Sequence, residues 1–256
     1  MNGAFYIGAT GLRSQERALD VTANNIANVN TAGYKRAEVR FSELVGPLPA
    51  EVELALNPQL EAQLAGVSAM TADRVFTQGE LRTTGQPLDI AIEGAGFLEL
   101  IGPAGRNVLW RGGGLKVNED GFLAAANGMP LKAMISVPAG ASALTISRDG
   151  VVRATVDGEA EPVELGRIEL AVARDLSRLT VLGDGAYQAG DDSDLVGVRP
   201  GEEGGGVLVQ GAIEGSNVSM SDEMVTLLMM QRSYAANAQI VQAGDQLMAI
   251  ANGLRR

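Results

Sequence analysis

The chain contains no cysteine and no histidine. The first absence removes thiol nucleophiles, disulfides and thiolate ligands, and the second removes the usual imidazole base and most zinc sites. No metal or cofactor is expected. Lack of cysteine fits either the cytoplasm or export, so it leaves the compartment open. Aromatic residues are 4% of the chain while glycine reaches 33 residues, which points to tight turns and close backbone approach rather than a large aromatic ligand pocket. No run of about 18 apolar residues exists, so no membrane insertion is expected. The opening "MNGAFYIGATGLRSQERALD" has no basic segment followed by about 7 to 15 apolar residues, so it does not read as a cleavable secretory signal.

At 256 residues and 46% hydrophobic composition, the chain is long enough for one large domain or two smaller ones. Its net charge is −11, which argues against nucleic acid as a partner, since phosphate binding needs a basic surface. Arg13, Glu16, Arg17 and Asp20 cancel in residues 1–33, and the charges of residues 218–256 cancel likewise. The whole excess therefore lies between 34 and 217, together with every proline from Pro47 to Pro200. Two neutral, proline-free ends flank an acidic, proline-punctuated middle, a contrast that predicts separate structural regimes.

Both ends read as helices. Phe5, Leu12, Leu19 and Ile26 recur every seven residues, interrupted on that face by Glu16, and predict an apolar seam. Gly3, Gly8 and Gly11 each weaken the helix by up to about 1 kcal/mol relative to Ala, so it is not expected to be stable alone. Met220, Leu227, Tyr234, Val241 and Met248 make a second heptad series, started by "SMSDEM" with Ser219 or Ser221 as N-cap. An ordinary helical hairpin in a monomer would explain both. Terminal helices usually fray, however, so each seam needs the other or a neighbouring subunit to cover it.

Between them the period falls to two. "LDIAIEG" alternates Leu88, Ile90 and Ile92 against Asp89, Ala91 and Glu93, and "FLELI" and "ALTIS" read as further strands. Turn signals such as "GPAG", "NEDG", "ANGMP", "RDG" and "GDG" separate them. The predicted class is α+β: paired N- and C-terminal helices of coiled-coil type at 1–33 and 215–256, a linker or extended arm at 34–75, and an antiparallel β-rich domain at 76–214. A short helical piece is expected around "NPQLEAQLAG" in the arm.

Motifs for chemistry are weak. "WRGGGLKVN" and "EEGGG" lack the Gly-Lys-Ser/Thr ending of a phosphate loop and read as turns. "GDDSDLVG" lacks the ligand order of an EF-hand and reads as a solvated acidic loop. Glu93, Glu99, Glu119 and Asp120 offer carboxylates for glycoside hydrolysis, but sequence gives no separation between them. No catalytic residue is assigned.

The stretch "ANNIANVNTAGYKR" (23–36) ends the first helix in four Asn and one Gly. Asn side chains can satisfy terminal carbonyls or tolerate the left-handed turn, with Gly33 as a further stop, while Tyr34, Lys35 and Arg36 lead outward into the arm.

Three segments carry a resemblance: "TGLRSQERALDVTANNIANVNTAGYKR" (10–36), "TQGELRTTGQPLDIAIEGAGFLEL" (77–100) and "EGSNVSMSDEMVTLLMMQRSYAANAQIV" (214–241). Their order, and their spacing to both ends, resemble the bacterial flagellar rod, hook and basal-body axial proteins. The length fits a rod subunit rather than the longer hook protein, and "TTGQPLDIAIEGAGF" and "QRSYAAN" look most like the distal rod, with the proximal rod next. Leu115 stands where the family often has Phe. The resemblance implies an inner tube of terminal helices, an arm, an outer β domain, and no enzyme activity. It also implies export unfolded through the flagellar type III apparatus and helical polymerisation with itself and other rod and hook subunits in the basal body, surrounding ring proteins being further partners. The expected assembly interface is Leu12, Leu19 and Ile26 against Met224, Leu227, Gln231, Tyr234 and Val241, with Asn24, Asn25, Asn28 and Gly33 at the helix-to-arm junction. An axial-type protein carrying a cell-wall hydrolase, acting through Glu93 or Asp120, and a monomeric chaperone or adhesin are the competing readings.

Overall fold

Helix α1 (Asn2–Ala27) and helix α2 (Met220–Gly253) flank a β-rich middle in the computed structural model, which describes residues 2–43, 67–156, 161–190 and 195–253. The class is therefore α+β. The chain divides into two compact units, one of Met1–Ala27, Ala37–Val75 and Ser219–Arg256, the other of Asn28–Arg36 and Phe76–Val218. The helical piece expected around 57–66, and residues 191–194 of "GDDSDLVG", lie outside the described residues.

In the first unit α1 and α2 run antiparallel. A Cβ added at Gly8 would lie 2.6 Å from Val241 Cγ2 and one at Gly11 3.1 Å from Asn237 Nδ2, so the glycines that weaken α1 also set how closely the two axes approach. From Ile7 onward, where burial is described, the buried positions of α1 are small or polar: Gly8, Ser14, Ala18, Thr22 and Asn25. Leu12, Leu19 and Ile26, expected as its seam, are only half-buried. Strands Ala37–Glu43 and Val67–Arg74 form an antiparallel hairpin with a bulge between Glu38 and Arg40. Ser14 Oγ donates to Val67 O at 2.9 Å and Arg17 Nη1 to Ala69 O at 3.3 Å, which ties the hairpin to α1.

In the second unit every ladder among the described residues is antiparallel. A six-stranded sheet is ordered Thr180–Gly183, Ala186–Gln188, Asn107–Trp110, Phe97–Ile101, Leu170–Ala173, Leu195–Val198. A four-stranded sheet is ordered Val207–Gln210, Asp89–Glu93, Gly112–Val117, Leu123–Ala125, and a three-stranded one Val163–Arg167, Val151–Val156, Ala141–Ile146. Ala212–Glu214 pairs with Leu81–Thr83. Alternation places Leu98, Leu100, Val108 and Trp110 of the six-stranded sheet in one core with Ile90, Ile92, Ile146 and Val152. The opposite face puts Phe97, Leu109, Ala171 and Tyr187 into a second cluster, where the Phe76, Phe97 and Tyr187 rings stand 5.2 to 6.0 Å apart.

Two readings are corrected. "WRGGGLKV" is not a turn: Gly112–Val117 is a strand. A Cβ at Gly112 would fall 2.6 Å from Ile90 O and one at Gly113 2.9 Å from the Trp110 ring, so these glycines permit close approach rather than reversal. "EEGGG" does reverse the chain, with Gly205 N–H donating to Glu202 O and Gly201 N–H to Gly206 O. Helix α1 also stops at Ala27 rather than near 33, because Asn28 turns the chain: its carbonyl accepts from Thr31 N–H and its Oδ1 from Thr31 Oγ1, both at 3.1 Å.

Gly8→Ala should raise intrinsic helicity yet lower the melting temperature of the helical unit, because the new methyl meets Val241. Combined with Val241→Ala the clash disappears, so a double-mutant cycle followed by circular dichroism should show a coupling energy of about 0.5–3 kcal/mol.

Candidate assembly site

Asn25 sits on the last turn of α1 with 1% of its surface exposed. Its Nδ2 donates to Ala37 O at 2.9 Å and its Oδ1 accepts from Ala37 N–H at 3.0 Å. The side-chain amide thus pairs with one peptide as a neighbouring strand would, and it anchors the first residue of the hairpin to the helix. The same Nδ2 also donates to Glu223 Oε2 of α2 at 3.3 Å. No other short side chain offers a donor and an acceptor at this spacing. Glu223 is buried in the first turn of α2, where its own N–H donates to Ser219 O and the positive end of the helix dipole favours its charge. Ser219, expected as N-cap, lies 3.5 Å through Oγ from Asp222 N. Asn25 therefore does not cap the carbonyls of α1, as the amide-rich stretch predicts; it joins helix, hairpin and second helix. Asn24 is exposed on the adjacent face of the same turn, and Asn28 makes the turn described above.

After Asn28 the chain passes through the second unit until Arg36. Gly33 has a φ of +67° and donates to Glu214 O at 2.8 Å. Its left-handed backbone lies six residues beyond the helix end at Ala27, so it shapes this crossing rather than stopping α1. Lys35, expected to lead outward, is instead 1% exposed. Its ammonium donates to Glu214 Oε1 at 2.6 Å and to Thr77 O at 2.8 Å. Arg111 approaches the other oxygen, with Nε 2.7 Å from Glu214 Oε2, and Gly79 N–H donates to Oε1 at 2.8 Å. The remaining Arg111 nitrogens donate to Gly96 O at 2.5 Å and Gly94 O at 2.6 Å. Gly94 and Gly96 have φ of +109° and +120°, and that backbone aims both carbonyls at one guanidinium. Burial pulls the Lys35 ammonium below the ordinary lysine range, while the Glu214 hydrogen bond and charge act against that shift. Asn217 completes the junction by accepting from Arg36 N–H at 2.7 Å and donating to Thr77.

The surface of α2 differs from both arrangements. Its 34 residues include charged side chains only at Asp222, Glu223, Arg232 and Asp245. Met224, Val225, Leu228, Met229, Tyr234, Ile240, Leu247 and Ile250 are between 43% and 64% exposed. Leu227 and Val241 are half-buried and Gln231 is exposed, so apolar groups face outward around much of the helix.

Three family models match this chain. The flagella basal body rod protein model covers residues 5–35, the flagellar hook protein FlgE/F/G D1 domain model 91–154, and the flagellar basal body rod FlgEFG protein C-terminal model 209–254. The flagellar basal-body rod protein FlgG of Borreliella burgdorferi is 34% identical to it over 100% of both chains. The FlgG of Caulobacter vibrioides is 31% identical over 98% of this chain and 99% of its own, and the flagellar basal-body rod protein FlgF of the same bacterium 29% over 96% and 95%. The chain belongs to the flagellar basal-body rod protein family. Lys35, Arg111 and Glu214 each fall within a different one of the three rod-family regions.

Sequence reasoning missed Glu214, Arg111, Asn217 and the inward role of Lys35. The one available signal was that Glu214 and Asn217 lie in the segment that carries the rod-family resemblance.

Asn25→Asp should destabilise the first unit more than Asn25→Ala at pH 7, because a carboxylate would face both Ala37 O and Glu223. Leaving those buried groups unpaired costs about 1–3 kcal/mol, and the excess penalty of the Asp variant should fall on acidification, as read by thermal melts at pH 7 and pH 4.5. In the second unit, Glu214→Ala leaves two buried cations without their carboxylate and should cost about 3–5 kcal/mol. Lys35→Met should cost less, since Glu214 keeps Arg111. Urea unfolding followed by fluorescence of the sole tryptophan, Trp110, reports that unit directly.

Proposed function

We propose that this chain is a structural subunit of the flagellar basal-body rod, of the distal-rod class, which polymerises helically through α1 and α2 into the shaft that carries torque from motor to hook. The carrying observation is the apolar surface of α2. A helix hydrophobic around most of its circumference belongs inside a larger body, and two helices cannot cover all of one another. Copies of the same pair can, in a close-packed tube of coiled-coil type. Heterologous contacts that do not close give a helical filament, and burial between subunits offsets the cost of ordering helices that are weak alone. Gln15 Oε1, buried on α1 without a hydrogen-bond partner among the described residues, supports a unit completed only on assembly.

On this reading Leu12, Leu19, Ile26, Met224, Leu227, Gln231, Tyr234 and Val241 meet neighbouring copies, and the Asn24, Asn25, Asn28 and Gly33 region holds each arm at a fixed angle to its helix. Other rod and hook subunits, the type III export apparatus and surrounding rings are its partners. The distal class is supported by full-length similarity to proteins named FlgG, and proximal rod is the second reading. Of the two carboxylates nominated for the hydrolase reading, Glu93 is paired with Arg148 at 2.9 Å and Asp120 is exposed on a turn. The protein acts as a structural part, not an enzyme.

Leu228→Glu combined with Met229→Glu should leave the β-rich unit folded and the chain exported, yet abolish sedimentable assemblies and motility. A stable wild-type monomer with protease-resistant, fully helical termini at low concentration would overturn coupled assembly. Locating the protein in purified basal bodies, proximal or distal to the inner ring, decides between the two rod classes.

A further inference from the structure

Helix α2 concentrates the sulfur of this chain. Of nine methionines, Met220, Met224, Met229, Met230 and Met248 all fall in Met220–Gly253. With no cysteine present, the methionine thioether is the one sulfur group that an oxidant can attack. Met229 is 64% exposed and Met224 56%, while Met230 is half-buried. At 3.6 residues per turn, Met224 and Met229 stand roughly 140° apart around the helix. Met224 shares a row with Met220 and Leu228, four residues to either side, and Met229 shares another with Val225. Leu228 and Val225 are themselves exposed. Each of these two outward apolar faces therefore carries a thioether open to solvent in the single copy.

Oxidation changes what such a face can pack against. A thioether is flexible, apolar and only a weak acceptor, which suits it to contact surfaces. A sulfoxide is strongly polar, and burying it without a donor is costly. Side chains such as Val225, Leu228 and Ile240 offer no donor. We propose that Met224 and Met229 form a reversible oxidation switch that decides whether a free copy can join an assembly. In the chemical step a sulfur lone pair attacks one oxygen of a peroxide and the O–O bond breaks. The hydroxide that leaves takes the proton of the new S–OH group, so sulfur is oxidised to sulfoxide and the peroxide is reduced to water. Methionine sulfoxide reductases reverse the change. The inference rests on assembly through α2 as argued above: a free copy is open to oxidation, and a copy already packed among others is shielded.

The test treats the full-length protein with hydrogen peroxide, as monomer and as assembly, and reads each methionine by peptide mass spectrometry. Met134, 48% exposed in the β-rich unit, is the internal control. In the monomer Met134, Met224 and Met229 should each gain one oxygen, whereas in assemblies Met224 and Met229 should stay reduced. Oxidation of the monomer should raise its critical assembly concentration roughly tenfold or more, and reductase treatment should restore the original value. Met224→Leu combined with Met229→Leu should assemble at the wild-type concentration before and after peroxide, while Met134→Leu should leave the sensitivity intact. Oxidised monomer that assembles at its original concentration refutes the switch but leaves helix-driven assembly standing. A loss of assembly that the reductases do not restore overturns reversibility and with it the proposal. Met224 and Met229 that oxidise as fast in assemblies as in the monomer refute both the switch and the burial of α2 between copies.

Discussion

One carboxylate holds the β-rich unit closed at the point where the chain enters and leaves it. Glu214 accepts from the Lys35 ammonium, the Arg111 guanidinium and the Gly79 amide. It thereby gathers the segment arriving from α1, the start of the β region, the link between the six- and four-stranded sheets and the segment departing toward α2. Backbone bonds run alongside: Gly33 N–H to Glu214 O and Asn217 N–H to Tyr34 O. An apolar cluster of equal volume would be no less stable, but it would not fix register. Two cations on opposite oxygens of one carboxylate do, because a slip of either chain by one residue would bury a charge without its partner.

The helical unit obeys a different logic. Its internal contacts are short and polar where the elements join, through Asn25 and Glu223, and small where α1 meets α2, through Gly8 and Gly11. Large apolar side chains are left on the outside of α2. A monomeric fold would invert that pattern, with bulky residues inside and small polar ones on the surface. The exposed apolar side chains of α2 are the observation on which the proposed assembly through the helices rests.

Local pattern explains which features were legible in the sequence. The period of two in "LDIAIEG" marked a strand because Ile90 and Ile92 had one face to fill, and the heptads at both ends marked helices. Periodicity in α1 finds large apolar residues, Leu12, Leu19 and Ile26, which are half-buried, whereas the buried positions among those described are Gly, Ser, Ala, Thr and Asn, which carry no such signal. The glycines of "WRGGG" looked like a turn because nothing local says that Ile90 O and the Trp110 ring lie against them. Lys35 and Glu214 are 179 positions apart, and no periodicity links such a pair. The rod-family resemblance found the right segments without saying what their polar residues do.

The charge partition gives the last constraint. All of the net −11 resides between 34 and 217, while both helical ends sum to zero. Like-charged β-rich units repel one another beyond contact, over a screening length of about 8 Å at physiological salt, so chance association through that surface is disfavoured. The neutral helices feel no such barrier, and α2 exposes large apolar side chains such as Met224, Leu228, Met229 and Leu247. Attraction and repulsion are thus placed on different parts of one chain.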